Sequence, residues 1–112
     1  MDVVEQALAF KDIIVAIGMA TSEVNLPILK FKEVFLQAKE YGFKTTSHFW
    51  DEGASDQITD GIKHCCLDGI DHGMSVLDSA PLLEESAERK IPYTLCPISL
   101  LKFGRMSSLK EL

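Results

Sequence analysis

Apolar positions along this chain switch repeatedly between a helical and an extended rhythm. Over residues 2–11, Val4, Ala7 and Leu8 share a helix face, and Asp2 with Glu5 makes a capping-box-like start. Residues 13–17, IIVAI, then form a short β-branched run, the pattern of a strand buried on both faces. GMATSEVNLP reads as a loop. Phe31, Val34, Phe35 and Ala38 return at helical spacing through LKFKEVFLQAKEYG, and Gly42 supplies the stop. FKTTSHF, 43–49, predicts a second strand. GASD is a turn with Ser55 as N-cap of DQITDGIKHCC, which turns Ile58, Ile62 and either Cys65 or Cys66 inward. GIDHG is a brief third strand. Asp78 is the expected cap of SAPLLEESAERK, with Leu82, Leu83 and Ala87 available for burial. IPYTLC, 91–96, is a fourth strand, and Ser108 with Glu111 forms a capping box where a last helix begins.

Strands alternating with helices of about 10–15 residues predict right-handed βαβ units and a parallel sheet, so the fold class is α/β. Residues 1–112 read as a single domain without linkers or repeats. Polar residues cluster after all four strands, as TSE, SHFWDE, DHG and CPIS. In parallel α/β folds the carboxyl ends of the strands build the active site, so these clusters point to one place.

Composition narrows the partners. The net charge of −6, from 17 acids against 11 bases, argues against nucleic acid or an anionic membrane as the main partner. No apolar run approaches the roughly 20 residues that cross a bilayer, and the acidic N-terminus is unlike a secretory leader. Three cysteines, two of them adjacent and none in a CxxC, make a poor disulfide framework. They read as reduced thiols in a cytoplasmic protein. His64 reads as a surface or packed residue, Glu84, Glu85 and Glu88 as a solvated helix face, Phe31 and Phe35 as core, and Met19 as packing near the sheet end.

SHFWDEG followed by GIDHG and then IPYTLCPIS resembles the adenosine and adenine deaminases, metal-dependent hydrolases on a (β/α)8 barrel. The order and spacing of the segments agree from IVAIGMATSEVNLP to the C-terminus. SEV and IDHG look more like the adenine deaminases. The resemblance implies hydrolytic deamination of a purine base or nucleoside with zinc as cofactor, the metal lowering the pKa of its bound water. His48 matches a metal-binding histidine at the end of the fifth barrel strand. His72 matches the histidine ending the sixth strand, which orients the attacking water without binding zinc. Asp51 sits where the family carries a glutamate proton shuttle, although an aspartate there also suits a turn cap. CPIS matches the segment lining the site after the seventh strand.

The chain departs from that pattern at several positions. It has no HxH pair and no adjacent aspartates, so by resemblance it holds one zinc ligand of four. Asp51 is one methylene shorter than glutamate, a retraction of roughly 1 Å that costs on the order of 100-fold in rate. Glu52 is longer, but successive strand residues point to opposite faces. Phe49 and Trp50 replace small residues and are expected to crowd the pocket, and Leu100 stands in place of asparagine.

Four βα units are half of a (β/α)8 barrel, corresponding to barrel strands 4 to 7. The expectation is therefore a partial barrel, incomplete and inactive alone, with IIVAI and YTLC as open edges and an inner face exposing apolar side chains. Met1 with the capping box at Asp2 fits a real start, whereas the end inside a helix start fits truncation. The alternative is a non-catalytic truncated paralogue that acts as a binding or self-associating domain through those edges.

Overall fold

Four parallel strands in the order β1-β2-β3-β4 make the sheet, with helices between them in sequence. The computed structural model describes residues 2–22, 24–50 and 55–111, the side chain of Asp2 excepted. The elements are α1 (Asp2–Leu8), β1 (Ala16–Met19), α2 (Lys32–Glu40), β2 (Lys44–Phe49), α3 (Ser55–His64), β3 (Gly69–His72), α4 (Ala80–Glu88), β4 (Tyr93–Thr94) and α5 (Pro97–Lys102). Consecutive parallel neighbours joined by helices are the repeating unit of a (β/α)8 barrel, and four of them make half of one.

The first strand lies later than its apolar run suggests. Turns follow α1, with Ile13 and Ile14 N–H both donating to the Phe10 carbonyl, so IIV belongs to the connection. Ile13 and Val15 are 74% and 73% exposed, which overturns the two-face burial expected of 13–17. Burial on both faces needs a packed layer on each side of the sheet, and in β1 only the face that carries Ile17 and Met19 meets the helix layer. Within α1, Val4 and Ala7 are buried and Leu8 faces out. The Asp2 half of the expected capping box lies outside the described residues.

Two apolar clusters fill the space between sheet and helices. Val4, Ala7, Ala38 and Phe43 gather beneath α1 and α2, with Ile17 against them. Ile28, Phe35, Phe49, Ile58, Ile62, Cys65, Ile70 and Leu82 form the larger one, with Met19 and Phe31 packed on it. Cys65 is the inward cysteine and Cys66 is exposed. Burial pushes the Cys65 thiol up to about 11, with Asp60 and Cys66 adding to the effect, so it behaves as an inert apolar group. Gly61 of α3 lets Phe49 approach closely: a Cβ there would lie 2.7 Å from Leu67 and 3.2 Å from the Phe49 ring.

The helix after β3 differs in detail. Ser79, not Asp78, is its N-cap, because Asp78 still belongs to the 3-10 turn Met74–Asp78 while Ser79 is extended. The Ser79 hydroxyl accepts from Leu82 N–H at 3.4 Å. Leu82 is buried, whereas Leu83 and Ala87 are exposed, and Ser86 takes the inward position by sharing a 2.8 Å hydrogen bond with the Tyr93 hydroxyl. β4 is only two residues long, since Pro97 at the first turn starts α5 at once. At the C-terminus the Glu111 carboxylate accepts from Ser108 N–H at 3.1 Å, as the capping box predicts.

The face of the sheet away from the helices is small and polar, contrary to the apolar inner face expected. It carries Ala16, Gly18, Thr46, Gly69 and Thr94, with Lys44, His48 and Asp71 among them. A shallow cavity of about 550 Å³ lies over it, lined in part by Ala16, Thr46, Gly69, Asp71 and Thr94.

Candidate functional site

Alternation along β2 sends Thr45, Ser47 and Phe49 into the helix layer and Thr46 and His48 to the inner face. Register then decides what meets His48. It pairs with Asp71 of β3, and its Nδ1 lies 3.7 Å from Asp71 Oδ2. Thr46 Oγ1 donates to that same carboxylate oxygen at 3.1 Å, fixing its position. At 3.7 Å the carboxylate stands beside the imidazole without a hydrogen bond, and a small shift would let it orient the ring. Asp71, within the IDHG segment, is the residue that sequence reasoning does not single out, and strand register places it opposite His48.

His72 reaches the same place by a different route. Simple alternation would put it in the helix layer with Ile70. Its backbone instead adopts the left-handed region, φ 64°, followed by Gly73 at φ 68°. A non-glycine residue held there is uncommon and gathers at functional sites. The turn brings the His72 ring within 4.9 Å of the His48 ring, centroid to centroid. Gly73 permits it, since a Cβ at that position would stand 2.5 Å from Ile70 Cγ2 and 2.9 Å from the Tyr93 ring.

Of the two bulky rings expected to crowd the pocket, Phe49 points into the helix layer and Trp50 lies against His72. Phe49 is 2% exposed and belongs to the core. Trp50, two residues beyond His48, sets its ring 4.5 Å from His72, nearly perpendicular, and meets Phe103 at 5.6 Å. Cys96 precedes α5 as its N-cap, and Leu100 is buried, so CPIS opens a helix and its Leu100 contributes packing. His64 stays at the surface, 4.0 Å from Asp60. Asp51 and Glu52 lie outside the described residues.

The metal implied by the sequence is not accommodated by these residues alone. Among the described residues no three of His, Cys, Asp or Glu come together to hold an ion. A catalytic zinc needs about three protein ligands, and His48 with Asp71 falls short.

The family model for adenosine deaminase matches residues 1–112. The chain belongs to the adenosine deaminase family. An adenine deaminase from Crocosphaera subtropica is 40% identical over 110 residues, covering 98% of this chain and 34% of the relative. The crystal structure of an adenine deaminase from Arthrobacter aurescens superposes with a TM-score of 0.85 at 28% identity, covering 96% of this chain and 33% of that one. An amidohydrolase from Burkholderia ambifaria, solved with bound Zn, gives a TM-score of 0.78 at 26% identity, over 84% of this chain and 26% of its own. The chain thus spans about a third of the length of the deaminases it matches. No helix among the described residues is long and apolar enough to cross a membrane.

Proposed function

We propose that this chain supplies one wall of a purine deaminase site, acting in the hydrolytic deamination of adenine or adenosine in the cytoplasm. Water adds at the ring carbon bearing the amino group, and that group leaves as ammonia. The observation that carries the reading is the convergence of His48, Asp71 and His72 at adjacent strand ends, with His72 held there by a left-handed backbone. His48 is the described residue that would offer a ligand to a zinc ion. Asp71 orients His48. His72 positions water, and Asp51 moves the proton to the purine ring.

The test is to splice this chain into the Crocosphaera subtropica adenine deaminase in place of the matching third. Ammonia release from adenine or adenosine is then measured. The spliced enzyme is expected to deaminate, and His48→Ala to abolish turnover. A folded splice that releases ammonia from neither substrate overturns the proposal.

A second reading, self-association, is favoured by the two open edges. Exposed Phe10, Ile13 and Val15 border β1, and exposed Leu95, Ile98 and Phe103 border β4. Residues 2–15 hold three acids and one base, whereas 89–111 hold five bases and one acid, so the two borders are oppositely charged. Light scattering on the 112-residue chain should show a dimer that weakens with salt. A monomer at every concentration sinks this reading.

A further inference from the structure

Trp50 and Phe103 come from elements separated in sequence, the end of β2 and the end of α5, yet their rings meet at 5.6 Å and 89°. Trp50 also meets His72 at 88°, so the indole is braced from two sides. Phe103 is 67% exposed, so its ring edge and the side of the indole near it are open to a ligand. Trp50 itself is half-buried and sits two residues beyond His48, at the carboxyl end of the sheet where the reacting groups gather. Aromatic side chains placed beside reacting groups suit a flat, π-rich ligand, because every purine presents such a face.

We infer that Trp50, braced by Phe103, is the wall on which the purine ring stacks, making it a substrate-contact residue and Phe103 its positioning residue. This deepens the proposed deaminase reading and rests on it for the identity of the ligand. A stack on Trp50 would bring the purine close to His72, whose ring lies 4.5 Å from the indole and 4.9 Å from His48. The inference also gives a role to a ring that departs from the small residues of the family pattern: crowding becomes contact.

Trp50 is the sole tryptophan, so its emission reports this place alone. The full chain is titrated with adenine, using ribose as a non-aromatic control and free tryptophan amide to correct for absorbed light. Saturable quenching by adenine, absent with ribose and weakened about tenfold in apparent affinity by Phe103→Ala, is expected. Emission that does not change, or quenching that is unaltered by Phe103→Ala, overturns the wall. In the spliced deaminase, Trp50→Leu should raise KM about tenfold and lower kcat less. An active splice with unchanged KM overturns the wall while the deaminase reading stands. An inactive splice overturns that reading and leaves the quenching to decide whether a purine stacks here.

Discussion

The two ends of the sheet are built by opposite means. At the amino end, Asp68 just before β3 accepts both hydrogen bonds from the Lys39 ammonium, at 2.7 and 2.8 Å. It also accepts from Thr45 N–H at 2.9 Å and Thr45 Oγ1 at 3.3 Å, with Lys44 Nζ 3.6 Å away. One carboxylate thereby ties the end of α2 to β2 and β3. At the carboxyl end, His48 and Asp71 stand 3.7 Å apart, beyond hydrogen-bond length, and His72 is held in a disfavoured backbone region. Saturated polar contacts at one end fix the register, and the residues proposed for chemistry stand at the other, as is usual in barrels.

The sharpest way to break this division is Gly73→Ala. It adds a Cβ into Ile70 and Tyr93 and forces a side chain onto a left-handed residue. A loss of about 2–4 kcal/mol is expected in urea unfolding. Asp68→Asn comes next, removing the charge that Lys39 and Lys44 share, and should cost about 1–2 kcal/mol in the same measurement.

The pH dependence follows from the same group. Burial acts to raise the Asp68 carboxyl, but the Lys39 ammonium, the Thr45 N–H and Lys44 together hold it below the usual range. A folded-state pKa below the unfolded one means the stabilisation is present above about pH 4 and is lost as acid is added through the folded value. The melting temperature of the wild-type chain should therefore fall more steeply below about pH 4 than that of Asp68→Asn. Equal slopes would show that the clamp contributes nothing.

The smallest expected effect is the most telling for the comparison. His48→Ala should change stability by less than about 0.5 kcal/mol, since its imidazole is 41% exposed and lies at a strand end. A loss as large as that of Asp68→Asn would mean that the carboxyl end is also structural.

Much of this layout is legible from periodicity alone. β2 and β3 fall within a residue of their expected bounds because short runs framed by Gly42, Gly69 and Gly73 leave little choice. IIVAI misleads because apolar β-branched residues score as strand whether or not a packed layer covers them, and its first residues are taken up by the turn that follows α1. Asp78 and Ser79 are both good caps, and only the 3-10 turn before them selects the serine. Within the site, His48 and His72 are visible in the family pattern. Their meeting with Asp71 depends on register, and that of His72 on a positive φ; alternation would have sent its side chain to the other face.

The inner face carries a further consequence, in terms of volume. A closed barrel interior is filled to about the density of an organic crystal. Ala16, Gly18, Thr46, Gly69 and Thr94 contribute little bulk to that filling. A surface packed onto this face at that density would have to bring large side chains to these small positions, with gaps left for Lys44, His48 and Asp71.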